Sequence, residues 1–144
     1  MLIDPLKELP GYALRRASAA FMAKLASRLA PLDLRPVEAS VLLIIASNPG
    51  VTQSEIGRLL DIASANMAPL AARLADRELI VREPVDGRSH GLTVSEPARR
   101  LVKKARRIVE ELEAELLERI PVHQRSAFLD ALRALSSSRS DGSG

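Results

Sequence analysis

A chain of 144 residues, 47% hydrophobic and 27% charged, is long enough to bury one core and too short for two comfortable domains. It has no cysteine and only two histidines, His90 and His123, which removes disulfides, thiol redox sensing and a metal site of the usual three or four ligands. The formal net charge of +3 is unevenly placed: residues 63–107 hold ten Lys or Arg against five Asp or Glu, whereas 108–117 hold four glutamates and no base.

Only Tyr12, Phe21 and Phe128 are aromatic, so the core must be Leu, Ile, Val and Ala, which suits closely packed helices. No apolar run approaches the ~20 residues that cross a bilayer, and the N-terminus lacks a signal-peptide pattern; a cytoplasmic protein with no membrane partner is expected. No nucleophile–base pair, Gly-rich phosphate loop or paired acid motif stands out, so neither an enzyme nor a cofactor is expected.

Pro10-Gly11 opens a long helical pattern closed by Pro31, with Leu14, Ala17, Phe21, Leu25 and Leu29 on one stripe. Pro36 starts a second helix, where its missing N–H costs nothing. Val37, Val41, Ile44 and Ile45 mark its buried side until Asn48-Pro49-Gly50 ends it. Thr52-Gln-Ser-Glu55 is a capping box for a short third helix whose Ile56, Leu59 and Leu60 should point inward. Asp61-Ile62 breaks the chain and Ser64 is the expected N-cap of a fourth helix, with Met67, Leu70, Ala71 and Leu74 on the core side. Pro69, a turn into that helix, removes a backbone donor and can kink it.

Residues 80–94 (IVREPVDGRSHGLTV) read as two β-runs joined by Asp86-Gly87, a pair suited to the positive φ angles of a tight hairpin. Arg88 stands at the tip. Ser95-Glu-Pro97 announces a long helix to about Arg119, and Pro121 a last one with Phe128, Leu129, Leu132 and Leu135. The Ser, Arg, Asp and Gly tail, 136–144, is expected to be loose.

Helix, turn, helix and a basic-tipped hairpin make a winged helix-turn-helix. The expected fold is mainly α with a small β-hairpin wing. Residues 36–96 form the DNA-binding lobe, and 1–35 with 97–135 a helical dimerisation region. A helix in the major groove offers its N-terminal residues to base edges; here these are Ser64, Ala65, Asn66 and Ala68, with Arg73 further along. Asn66 suits adenine, and the alanines suit thymine methyls. Arg88 suits a narrow minor groove, with Asp86 holding it extended. Arg82 is the phosphate contact expected in the first wing strand. The apolar stripes of the outer helices exceed what one small lobe covers, and a symmetric dimer closes them.

The element order closely resembles the MarR family of bacterial transcriptional regulators. The most specific matches are Leu70-Ala-Ala-Arg73-Leu74, Leu79-Ile80, Asp86-x-Arg88 and Leu92-x-Val94-Ser95, and the likeness spans roughly residues 12–135. The resemblance implies a homodimer with interlocked first and last helices. It also implies a palindromic double-stranded operator and release, most often of a repressor, by a small aromatic acid such as a phenolic acid or its coenzyme A thioester. In such a ligand cleft Tyr12, Arg16, Phe21 and Arg28 would stack on the ligand and clamp its carboxylate. Two positions depart from the family pattern: Glu78 stands where glycine usually ends the recognition helix, and Pro69 replaces a polar or basic residue. A competing reading is a winged-helix module that binds protein and leaves nucleic acid alone.

Overall fold

The computed structural model describes residues 1–87 and 89–137. Arg88 and residues 138–144 of the expected tail lie outside the described residues. The chain divides into two compact units, Met1–Val109 and Glu110–Gly144.

The first unit begins with α1 (Pro10–Leu29), which has proline in its first turn, as the sequence predicts. A 3-10 turn, Ala30–Leu32, then leads to Asp33 in the left-handed region, φ 53°. Helix α2 (Pro36–Ser47) is covered on most sides: Ala39, Val41, Leu42 and Ile45 are buried, so is the carboxylate of Glu38, and Leu43, Ile44 and Ala46 are half-buried. Val37, expected on the buried side, is 38% exposed. A mean-apolar helix with solvent on only a narrow face leaves little periodic signal, which is why the expected stripe was incomplete.

The capping box forms as expected at the start of α3 (Gln53–Leu60). Glu55 N–H donates to Thr52 Oγ1 at 3.2 Å and Thr52 N–H to Glu55 Oε2 at 2.8 Å. These bonds, the backbone one first, hold the Glu55 carboxyl below its ordinary range. Ile56 is buried but Leu59 is 68% exposed, so only part of the expected inward face is used. Gly57 allows α4 (Ser64–Asp76) to approach, since a Cβ there would meet Ile62 O at 3.0 Å and Met67 Cγ at 3.6 Å.

The wing is larger than a hairpin. Strands β2 (Ile80–Pro84) and β3 (His90–Val94) pair antiparallel, and a two-residue β1 (Val51–Thr52) adds to the far edge of β3, giving the order β1-β3-β2. Val51 sits opposite Leu92, Arg82 opposite Leu92 and Pro84 opposite His90. The connection between Pro84 and His90 is therefore five residues long, not the two-residue turn expected from Asp86-Gly87. Val85 N–H reaches Ser89 O at 3.1 Å, and Asp86 Oδ1 accepts from Ser89 N–H at 2.9 Å and Ser89 Oγ at 3.0 Å. Side-chain acceptance by Asp replaces the primed turn, the other way in which this residue reverses a chain.

Helix α5 (Arg99–Glu118) follows Ser95, whose hydroxyl accepts from Ala98 N–H at 3.3 Å and donates to Glu78 O at 2.7 Å. The core of this unit centres on Leu29, Leu42, Ile45, Ile56, Met67, Leu74 and Leu92, each 1% exposed or less. Complete burial of each such side chain contributes about 1.5–3 kcal/mol. On α1 only Leu25 and Leu29 are buried, while Leu14 and Met22 are 43% and 44% exposed.

The second unit contains the C-terminal half of α5, a 3-10 turn Val122–Gln124 and α6 (Arg125–Ser137). Arg125 Nε donates to Ile120 O at 3.0 Å and fixes the corner between the helices. Helix α6 runs two residues into the segment expected to be loose. None of its described residues is buried, and Leu117, Val122 and Leu129 of this unit are exposed.

Candidate nucleic-acid interface

Helix α4 starts without a side-chain cap. Ala63 is its N-cap, Ser64 the first helical residue, and Asn66 and Met67 N–H both turn back to Ala63 O at 2.9 Å. Ser64 therefore does not cap, contrary to expectation; its side chain is exposed with those of Ala65, Asn66 and Ala68. At 100° per residue, with Met67, Ala71 and Leu74 facing inward, the outward line of the helix is Ala65, Pro69, Ala72 and Asp76, with Asn66 and Ala68 on its two sides. Up to Ala72 this face is small and apolar, so a groove wall or a base methyl can come close to the backbone there. Pro69 and Ala72 were not among the expected contacts, although their spacing from Ala65 marks them.

Arg73 follows Pro69 by one turn. Its Nε lies 3.1 Å from Glu38 Oε2, a fully buried carboxylate, and its own side chain is 39% exposed. That oxygen accepts no aligned hydrogen bond, so charge rather than a directed N–H holds it; Oε1 accepts from Arg35 N–H at 2.8 Å. One turn on, Arg77 Nη1 donates to Asp33 O at 2.6 Å, and its Nη2 lies 3.6 Å from Asp33 Oδ2. Two arginines thus tie α4 to the corner between α1 and α2. Arg73 leaves the helix within about 40° of Pro69, and its guanidinium turns from there toward that corner while its side chain stays 39% exposed.

The C-terminal end of α4 is closed by Glu78 at φ 59°. Glu78 N–H reaches Ala75 O at 2.9 Å and Leu79 N–H reaches Leu74 O at 3.0 Å, the paired bonds of a left-handed helix stop. A non-glycine residue pays about 1–2 kcal/mol for this conformation. Burial of Leu79 and the Ser95 hydroxyl on Glu78 O oppose that cost. The departure from glycine at this position thus coincides with a positive φ.

Arg82 and Asp86 are exposed on the wing. Arg82 shares a cleft of about 470 Å³ with Gln53, Ser54, Arg58, Ser89 and His90. A second cleft joins Gln53, Ser54 and Arg58 to Ser64 at the start of α4. Because the same three α3 residues line both, the N-terminus of α4, one side of α3 and the wing strands border one continuous surface. Arg58, Arg82 and His90 bring positive or ionisable groups to it, and no acid lines the wing-side cleft. Arg58 was not expected there. It lies on a short helix with nothing local to mark it, and only the fold of β2 and β3 brings it beside Arg82.

The four residues expected around a ligand are only partly gathered. Tyr12 and Arg16 meet, with Arg16 Nη1 donating to Tyr12 OH at 3.3 Å, and Arg15 also lies over the ring, 5.4 Å from its centroid. That hydrogen bond raises the Arg16 pKa above its ordinary value. Phe21 and Arg28 stand further along the same helix, about 14 and 24 Å from Tyr12 at 1.5 Å per residue, and are half-buried. Among the described residues no helix is long and apolar enough to cross a membrane.

A helix-turn-helix carrying an antiparallel wing, with its basic residues gathered on the surface between them, defines a winged helix-turn-helix protein. A family model described as MarR family matches residues 32–89. The solved structure of the transcriptional repressor CouR bound to a 23-mer DNA duplex superposes with a TM-score of 0.83 at 34% identity, covering 94% of this chain and 98% of that one. CouR bound to p-coumaroyl-CoA gives 0.84 at 31% identity over 96% and 99%. The HTH-type transcriptional repressor Rv2887 of Mycobacterium tuberculosis is 28% identical over 129 residues, which are 88% of this chain and 93% of the relative.

The chain belongs to the MarR family, and is a transcriptional regulator rather than an enzyme.

Proposed function

We propose that this protein is a cytoplasmic repressor that binds a palindromic operator as a homodimer and leaves it when a small aromatic acid, or the coenzyme A thioester of one, is bound. The observation that carries the reading is the continuous surface shared by the start of α4, one side of α3 and the wing. Its small apolar helix face admits close approach to base edges, and Arg58, Arg82 and His90 flank it as phosphate contacts. Ser64, Ala65, Asn66 and Ala68 would read bases. Arg88 is assigned to the minor groove on sequence grounds, with Asp86 at the base of the same connection.

The 34% identity to CouR, solved with DNA and with p-coumaroyl-CoA, supports both halves of the reading. So does Rv2887, solved with p-aminosalicylic acid and with salicylic acid at 27% identity. Exposed Leu14 and Met22 in the first unit, and Leu117 and Leu129 in the second, supply apolar surface for a second copy. Helices 1–35 and 97–135 are the proposed dimerisation region, with Tyr12, Arg16, Phe21 and Arg28 the candidate ligand contacts on α1.

Fluorescence anisotropy on the duplex upstream of the protein's own gene tests this. Arg58→Ala with Arg82→Ala should weaken binding and lower the slope of log affinity against log salt by about 2, one for each phosphate no longer neutralised. Phenolic acids and their thioesters should release the wild-type complex. Affinity indifferent to salt and to both substitutions would remove this surface from DNA binding.

A further inference from the structure

A groove away from that surface lies between the C-terminal end of α2, the end of β3 and the first two turns of α5. It encloses about 560 Å³, within the range of sites that take drug-sized ligands. Pro49, Thr93 and Val94 give it a floor over the buried Ile45 and Val102; Arg99, Lys103 and Arg106 form its rim, and no carboxylate lines it. The three cations recur at i, i+4 and i+7, so they share one face of α5 and extend over about 10 Å of its axis.

Their placement is unfavourable in the protein alone. Arg99, in a first turn that contains no acid, opposes the helix dipole, while Lys103 and Arg106 lie beyond that turn and add like charge along the same face. Arg99 has an exposed ion pair with Glu96 at 3.2 Å, of the kind that contributes little in water. Arg106 Nη2 donates to Ser47 Oγ at 3.5 Å, at the end of α2. Among the described residues Lys103 has no ion-pair partner. A bound polyanion would neutralise the row, and a single carboxylate would occupy only one of its members.

We propose that this groove holds the phosphate-bearing portion of a coenzyme A thioester, its phosphates along Arg99, Lys103 and Arg106 and its uncharged chain over Pro49 and Val94. The assignment rests on the effector reading above and selects the thioester over the free acid. Bidentate guanidinium–phosphate contacts and an ammonium point charge supply the recognition, and the apolar floor accommodates the linker.

Calorimetric titration of the full chain with p-coumaroyl-CoA, coenzyme A and p-coumarate tests the proposal, using wild type, Lys103→Gln and the double variant Arg99→Gln/Lys103→Gln. Both coenzyme A compounds should bind the wild type, about tenfold more weakly to Lys103→Gln and more weakly again to the double variant. Operator affinity should stay within about twofold of wild type, which also reports a folded dimer. Equal binding of the coenzyme A compounds by wild type and double variant overturns the proposal, as does failure of the wild type to bind either. Loss of operator affinity in the variants would instead make the row a DNA-phosphate contact. A wild type released from DNA by p-coumarate but blind to both coenzyme A compounds sinks the groove and leaves the effector reading standing. Release by none of the three compounds sinks the effector reading too.

Discussion

Replacing Arg73 separates a strut from a base reader. In the structure its guanidinium faces Glu38 Oε2 at 3.1 Å, Glu38 is fully buried, and Arg35 Nε is 3.9 Å from the other oxygen. Arg73→Ala would leave a buried carboxylate with one backbone N–H and one distant cation. Removing one partner of a fully buried pair costs roughly 3–5 kcal/mol. Because Arg73 is 39% exposed and solvent screens exposed pairs, about 2–3 kcal/mol is expected here. For a chain of this length that lowers Tm by about 8–12 °C, measured at one protomer concentration because dimerisation contributes to stability. Adding Glu38→Gln should recover part of the loss, since Gln still accepts from Arg35 N–H and no charge is then left buried. The double variant should be more stable than Arg73→Ala alone, by about 1 kcal/mol. Asn66→Ala serves as the opposite case: melting within about 0.5 kcal/mol of wild type and operator binding weaker by about 1–3 kcal/mol. If Arg73→Ala melts like the wild type but loses operator affinity as Asn66→Ala does, the strut assignment is wrong and Arg73 reads bases.

Two further substitutions probe the backbone of the lobe. Glu78→Gly removes the left-handed strain at φ 59°, and after the extra freedom of glycine in the unfolded chain it should stabilise by about 0.5–1 kcal/mol in urea denaturation; a destabilised variant would mean that the Glu78 side chain outweighs the strain. Gly91→Ala would place a Cβ 2.7 Å from Gly50 O and 2.8 Å from Val85 Cγ2, forcing β3 from its neighbour, so a loss of about 1–3 kcal/mol is expected; unchanged melting would show that the wing yields without cost.

Much of the lobe was legible because its signals are local. The prolines at the starts of α1 and α2 and the Thr52–Glu55 box each act within a few positions of themselves, and those elements stand where expected; after Pro121 a 3-10 turn intervenes and α6 begins only at Arg125. Ser64 shows the limit of such signals. Its type suits a cap, but Ala63 takes the capping position and Ser64 begins the helix. The wing shows another: Asp86-Gly87 signals a reversal, yet the five-residue connection is set by where Pro84 and His90 pair. The two-residue β1 is too short to carry a period and becomes a strand only because β3 lies beside it.

The order helix, turn, helix, wing, and with it the class of protein, was determined by sequence alone, because periodicity and turn chemistry are short-range. Tertiary structure decided which charges serve structure and which meet solvent. Arg73 pairs with Glu38, and Arg77 reaches Asp33 across 44 residues of chain; Arg58 joins Arg82 and His90 only through the fold of the wing. Nothing local distinguishes an arginine that will face a buried carboxylate from one that will face a phosphate, since each choice depends on which distant group the packed core brings within a few ångströms.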